Sequence, residues 1–524
     1  MALQEPSNRE RRMYYYGLPS GPRLVARSST TPWSQPREWP ERKKLGVATG
    51  HKIQQPWNDL QGSLQQLIIN TLSGIDWTAI DILRVSYEDT YEDKCPVTML
   101  ISVSKDSTSF RQAEAAIIAC RDILIRFGLD DVEVEMKESI VSTAASSPGP
   151  ATSDPITGHK APRLDPGPFD NDISDLKYNI NRDISEYIGT SIASTDGFKQ
   201  GTKGLYLQSN NGKTYALTCR HVLFSDNDCK EYRYQDGHNT ITKDVIQPRK
   251  NILSNIVEEF RSKKEALDLT IDLTAKPLYN TVSYQALRVG NLREQTLRQS
   301  CQPRIDQFDQ KGCAILGHVV FSPPIELCSQ RLRLRDWALI ELSQDIFTTK
   351  LSELRNKVPV TQKLSLMLGE VKELLATTAL RLDFTYSLEV AIGPRMVPES
   401  DLEDALSRTP TEGKGLIVIK HGFKTGFTIG RANGIRSVIR YASEAVGEVI
   451  SSEWCIIGID KAFSEKGDSG ACIFDLEGRI GGMITAGLEA ENITRGGYDV
   501  TYAAPMQWLL DDIKRQDYDI KLPN

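Results

Sequence analysis

Histidine is scarce in this chain, with only six residues in 524, at positions 51, 159, 221, 238, 318 and 421. Multi-histidine metal chemistry is thereby confined to one place. Cys219, His221, Cys229 and His238 fall within 20 residues, yet their spacing fits none of the zinc patterns, which pair ligands two to four residues apart at both ends. Gly413-Lys414-Gly415 lacks the rest of a phosphate-binding Walker A loop. No metal and no cofactor is therefore expected. No apolar run approaches the length of a membrane span, and the first residues hold no apolar core of a signal peptide. Cysteines number nine and are scattered. With no signal segment, free thiols in a reducing compartment, cytoplasmic or nuclear, are the simpler expectation. Asn492-Ile493-Thr494 is then an unused glycosylation sequon. Excess positive charge is absent as well. The net charge of −6 gives no global pull toward nucleic acid, and no membrane partner is expected.

What is present begins with a basic stretch. Residues 1–50 carry nine Lys/Arg against four Asp/Glu and a Tyr-Tyr-Tyr run at 14–16, which reads as a disordered, solvated tail. Residues 51–140 read as a small α/β unit. Val97 to Val103 is a buried-strand run, and Val132 to Met136 alternates as a strand. Between them Phe110, Ala113, Ile117, Cys120, Leu124 and Phe127 mark one face of a helix, so a strand–helix–strand crossover is predicted. Residues 141–175 are rich in Pro, Ser and Gly with no periodicity, the mark of a linker. From about 176 the chain becomes β-rich. Asn211-Gly212 between two apolar runs predicts a type I′ hairpin. Helical spacing recurs at 249–266, through Ile252, Leu253, Ile256, Val257 and Phe260, and at 361–376. A closing helix with Met506, Leu509, Leu510 and Ile513 on one face comes after Pro505.

Three short fragments carry chemistry. Leu217-Thr218-Cys219-Arg220-His221-Val222 puts a histidine at the end of a β-prone run. Asp336 opens the alternating strand Asp336-Trp337-Ala338-Leu339-Ile340-Glu341-Leu342. Gly467-Asp468-Ser469-Gly470 lies between two strand-like runs. A serine hydroxyl is too weakly acidic to attack a peptide carbonyl at neutral pH unless a base with a pKa near 7 takes its proton. That base needs a carboxylate to fix its tautomer and to stabilise the imidazolium. Ser469, His221 and Asp336 supply these types. Each also has a plainer reading: the tetrapeptide as an ordinary turn, Asp336 as a surface charge, and His318 as a competing base. The run around His318 reads as the strand before the acid. His421 reads as structural.

The three fragments, in the order His, Asp, Ser, resemble the trypsin-like (chymotrypsin-clan) serine peptidases, including intracellular HtrA-type and fungal members, over about residues 185–515. The resemblance implies a mainly β fold: a chymotrypsin-like double β-barrel with helical insertions, preceded by the small α/β unit. It places the first barrel at 176–345, a helical inter-barrel segment at 346–408, and the second barrel with its closing helix at 410–516, with no PDZ domain. It assigns the oxyanion hole to the amides of Gly467 and Ser469, the pocket floor to Phe463, and the pairing of substrate backbone to Thr485, Ala486 and Gly487. Glu465 remains an alternative pocket residue if the loop alignment shifts. No acid stands at the Phe463 position, so a small or apolar residue is expected before the scissile bond.

Three function classes are compatible with these residues. The first is an intracellular serine endopeptidase acting on protein or peptide substrates. The second is a self-processing regulatory protease whose N-terminal unit is a prodomain in contact with the catalytic part. The third is a protease-like scaffold that binds peptides without cutting.

Overall fold

The computed structural model describes residues 3–36, 41–88, 95–143, 164, 184–197, 199–225, 228–235, 242–247, 250–274, 282–311, 314–328, 332–359, 389–403, 415–443, 447–459, 461–490 and 497–524. The protein is mainly β. Two large sheets dominate, one of twelve strands and one of nine.

The twelve-stranded sheet joins the two ends of the chain. Val97–Val103 is buried along its whole length, as its unbroken apolar run requires. It lies parallel to Val132–Glu138, and helix Phe110–Arg126 connects the two. Ser109 and Gln112 cap that helix reciprocally, each side chain bonding the other's backbone amide. Its buried face is Ala113, Ala116, Ile117, Cys120, Ile123 and Leu124. The neighbouring strand Trp77–Tyr87 then pairs with Gly426–Ser443 from the far end of the sequence, Ile80 opposite Val438 and Ala79 opposite Ile439. Beyond it the sheet continues through Leu416–Gly422, Cys472–Asp475, Ile480–Glu489, Val500–Pro505 and Gly447–Gly458.

Residues 1–50 differ from the expected solvated tail. Asn8–Met13 is a helix capped by Ser7, and Arg23–Arg27 pairs with Val132–Glu138. Tyr14 and Tyr15 are buried, and their hydroxyls donate to Glu135 at 2.5 and 2.7 Å. The Lys43 ammonium sits 3.1 Å from the centroid of the Tyr14 ring. Arg27 pairs with Glu10. The basic charge that reads as a tail is thus spent on internal ion pairs and cation–π contacts.

The nine-stranded sheet holds Ser191–Ser194, Gln200–Thr202, Leu205–Ser209, Thr214–Thr218, Asp244–Gln247, Ala314–Ser322 and Ala338–Leu342, among others. The hairpin at Asn211-Gly212 forms, with Thr214 opposite Gln208. Only Gly212 of the pair has positive φ, at +85°. A type I′ turn needs both central residues there, so the predicted turn type is not the one adopted. Helices Lys250–Thr274 and Val282–Lys311 are inserted between Asp244–Gln247 and Ala314–Ser322. The second helix carries an internal Pro303 and is polar with little amphipathic periodicity, so apolar spacing does not announce it. The described part of 346–408 is less helical than expected. It holds 3-10 turns, the strand pair Lys357–Pro359 and Glu389–Ala391, and one short helix, Glu399–Glu403. The helix expected at 361–376 and most of the linker at 141–175 lie outside the described residues. Among the described residues no helix is long and apolar enough to cross a membrane.

Candidate active site

Strand register brings the first two site residues together. Thr214–Thr218 runs antiparallel to Ala338–Leu342 with Thr218 opposite Ala338. The chain three residues after Thr218 therefore meets the chain two residues before Ala338. There His221 lies in the single helical turn Arg220–Leu223. Its backbone amide donates to Asp336 Oδ1 at 3.0 Å, and its Nδ1 stands 2.5 Å from Asp336 Oδ2. Burial pulls the Asp336 carboxyl up, but the charge and hydrogen bonds of His221 and the nearby Arg220 outweigh it, and the group lies below its ordinary value. A carboxylate held ionised against Nδ1 leaves Nε2 as the nitrogen that faces the serine.

That serine arrives from the other sheet. Nε2 of His221 is 2.6 Å from Ser469 Oγ. Ser469 sits in the turn before strand Cys472–Asp475, between Gly467 with φ +114° and Gly470 with φ +89°. A Cβ on Gly470 would stand 2.3 Å from the Thr202 carbonyl oxygen and 2.4 Å from Thr218 Oγ1, so glycine is required there on both grounds. The turn is pinned from strand Gln200–Thr202. The Thr202 amide donates to the Ser469 carbonyl at 2.7 Å, and Thr202 Oγ1 donates to the Gly467 carbonyl at 2.9 Å. Among the described residues neither the Gly467 nor the Ser469 amide has a hydrogen-bond acceptor. Ser469, His221 and Asp336 are all buried.

Supporting residues surround the three. Arg220, fully buried, donates to Ser322 Oγ and to the carbonyls of Asp228 and Lys230. Ser322 Oγ in turn donates to the Trp337 carbonyl beside Asp336. Asp512 on the C-terminal helix Met506–Lys514 accepts from both neighbours of Asp336: Arg335 Nη2 at 2.8 Å and Trp337 Nε1 at 2.9 Å. Asp468 accepts from Lys420 Nζ at 3.0 Å, and both side chains are fully buried. None of Thr202, Lys420 or Asp512 is singled out by the sequence, because the site partner of each lies at least 48 residues away along the chain.

The remaining expected site residues separate into two groups. Thr485 and Ala486 line a cavity of about 50 Å³ together with His221 and Asp336, and the Ser469 hydroxyl points to the Thr485 carbonyl at 3.4 Å. Gly487 lies against Tyr498, whose ring a Cβ there would strike. Phe463 is elsewhere. It packs in an apolar cluster with Val418, Trp454, Ile473 and Tyr498 and does not line the cavity beside His221. Glu465 is half-buried, and burial raises its carboxyl.

The donor atoms of Cys219, His221 and Asp336 lie within 4.8 Å of one another. They do not suit a metal ion. Burial pushes the Cys219 thiol well up, its sulfur donates to the Ile484 carbonyl, and the other two groups are already bonded to each other.

One further strand enters the site. Ile140–Thr143 pairs antiparallel with Ile480–Glu489, Thr143 opposite Ala486 and Val141 opposite Leu488. Its C-terminal end runs toward Thr485, hence toward Ser469. Tyr498 Oη donates to the Thr143 carbonyl at 3.3 Å.

No protein-family model and no curated protein sequence matches the chain. Among solved structures, the crystal structure of Nocardiopsis protease (NAPase) is similar with a TM-score of 0.29 and 11% identity, over 64% of this chain and 98% of that one. Likeness at that level carries no weight beside the geometry of Ser469, His221 and Asp336.

Proposed function

We propose that this chain is a serine endopeptidase of chymotrypsin-like, double-barrel architecture. The observation that carries the reading is the continuous hydrogen-bond chain from Ser469 Oγ through both ring nitrogens of His221 to Asp336. In this reading Ser469 Oγ attacks the scissile carbonyl and its proton passes to His221 Nε2. Asp336 holds the Nδ1 proton and stabilises the imidazolium. The oxyanion accepts from the free amides of Gly467 and Ser469, each such donor worth about 3–4 kcal/mol of barrier. His221 then protonates the departing amine. Water, deprotonated by the same nitrogen, releases the acyl group and restores Ser469.

A second feature favours the self-processing form of this activity. Strand Ile140–Thr143 is laid on Ile480–Glu489, the strand that would pair with substrate backbone in such a peptidase, and Ser469 is buried. The N-terminal unit then acts as a prodomain. Its last described strand occupies the groove, with Thr143 the end nearer to Ser469. Cleavage is expected within the first few residues after Thr143, at the start of the Pro/Ser-rich stretch.

The test is a fluorophosphonate probe applied to the full chain and to Ser469→Ala, with gel and N-terminal mass analysis of both. Labelling that depends on Ser469, and nicking just after Thr143 in the wild type alone, is the expected result. Loss of Ser469 or His221 should lower turnover by roughly 10⁶-fold. Equal nicking in both proteins removes the self-processing form. Absence of labelling leaves a peptide-binding scaffold.

A further inference from the structure

The groove beside His221 has a chemistry of its own. Strand side chains alternate between faces, and Ile140–Thr143 shows this directly. Val141 and Thr143 line the same cavity as His221 and Asp336. Ser142 takes the other face, where its hydroxyl donates to Glu489 at 2.7 Å. The cavity walls are Ile325, Leu334, Ile439, Tyr441 and Ala486, with Ser451, Glu453 and Thr485 as the remaining polar members. Val141 and Thr143 do not fill it. About 50 Å³ stays open, more than a water needs, and the surface it exposes is mostly apolar.

Space of that kind rewards carbon. Each buried methylene is worth about fourfold in binding. Thr143 presents one methyl and one hydroxyl to apolar walls, so its replacement by a longer aliphatic side chain gains contacts and loses little. A carboxylate is rejected twice. It would be buried among aliphatic side chains, and it would face Glu453 and Asp336, both buried on the same wall. Among the described residues Glu453 has no free cation to offset a second acid: its near neighbours are Ser451, the Leu334 amide, Asp336 and Arg333, and Arg333 already pairs with Glu399 at 3.0 Å.

We propose that this groove selects polypeptides carrying aliphatic side chains larger than threonine at the second residue before the scissile bond and apolar ones at the fourth, with Ile325, Leu334 and Tyr441 as specificity-determining residues. This rests on the endopeptidase reading and deepens it. The internal strand is then a fitting but underfilled occupant of the groove, one that a better-filling substrate displaces.

The experiment uses the full chain and fluorogenic peptides of the form Ile-Val-Ser-X-Ala, with X as Thr, Leu, Phe, Ala, Asp or Lys. Because the internal strand competes equally with all of them, ratios of kcat/KM report the groove. Leu is expected to exceed Ala by roughly tenfold or more and to exceed Thr, with Asp slowest. Leu334→Ala, checked for an unchanged melting temperature, should shift the optimum from Leu toward Phe. A Leu-to-Ala ratio within about twofold overturns the proposal, and so does a preference for Lys, which would make Glu453 and not the apolar wall the selector. Probe labelling of Ser469, measured in parallel, separates this failure from failure of the endopeptidase reading. If labelling fails, fluorescence anisotropy of the same peptides on Ser469→Ala protein judges the groove alone, with the same ranking expected and a flat ranking decisive against it.

Discussion

Lys420 and Asp468 form an ion pair with neither side chain exposed. Burial lowers the Lys420 amine, and Asp468 draws it part of the way back. Such pairs persist only when the remaining lone pairs are satisfied, and here they are. Asp468 also accepts from the backbone amides of Lys424, Thr425 and Glu465 and from the Thr425 hydroxyl, while Lys420 reaches Thr425 and the Gly426 carbonyl. Asp468 is adjacent to Ser469, so the pair ties the Ser469 turn to the hairpin of Leu416–Gly422 and Gly426–Ser443. Lys420→Met strands a buried carboxylate and is expected to cost about 3–5 kcal/mol, with loss of probe labelling as the Gly467 amide loses its fixed direction. Adding Asp468→Asn to Lys420→Met should recover part of the stability and little of the labelling. Denaturant unfolding of the two variants decides the matter. A Lys420→Met protein within about 1 kcal/mol of wild type would show that the backbone amides alone hold the carboxylate.

At the scale of elements, the C-terminal helix is the buttress of the acid. Asp512 is fully buried and grips Arg335 and Trp337, the two neighbours of Asp336. Asp512→Ala leaves Arg335 Nε and Nη2 and the Trp337 indole N–H without their acceptor, while Arg335 Nη1 keeps Glu326, a cost of roughly 2–4 kcal/mol. It should also slow labelling of Ser469 by loosening Asp336 against His221. Asp512→Asn keeps an acceptor for one donor and should fall between. Lower stability with an unchanged labelling rate would confine Asp512 to folding. This helix is legible in the sequence, through Pro505 and the spacing of Met506, Leu509, Leu510 and Ile513, but the role of Asp512 is not. The same divide runs through the rest. Phe110–Arg126 shows its apolar face at helical spacing, and His221, Asp336 and Ser469 each stand at a strand end with telling flanks. Thr202 and Lys420 look like any strand residues, since their meaning comes from partners brought near by folding. Phe463 is buried with Val418, Trp454, Ile473 and Tyr498, partners that its place six residues before Ser469 does not announce. The first 50 residues look like a tail because composition counts charges and cannot see that Lys43 and Arg27 face tyrosines and Glu10.

For the whole molecule, the decisive feature is that the N-terminal unit and the C-terminal strands are one sheet. Trp77–Tyr87 hydrogen-bonds directly to Gly426–Ser443. An apolar cluster mixes Tyr15, Leu24, Ala79, Leu83 and Leu100 with Ile439, Ile457, Val500 and Tyr502. Polar groups cross the same boundary fully partnered: Asp81 accepts from Ser437 and from Tyr502 at 3.1 Å, Asp499 accepts from the amide and hydroxyl of Ser20, and Asn433 donates to the Ile82 carbonyl. A boundary with an apolar centre and satisfied buried polar groups resembles a domain core cut in half, the character of permanent interfaces. Removing the N-terminal unit would leave Gly426–Ser443 with an unpaired edge beside exposed apolar side chains, an invitation to aggregate. The chain between the two parts therefore need not be intact for them to stay together. If a site for an unrelated sequence-specific protease is placed in the Pro/Ser-rich stretch at 146–168 of the Ser469→Ala protein and cut, the two fragments should co-elute in gel filtration. They should part only at denaturant concentrations that unfold them both, in a single transition. Cleavage alone would then not free the groove, because Ile140–Thr143 remains anchored through the shared sheet. Fragments that separate under native conditions would reverse this, making the cut itself the step that exposes Ser469.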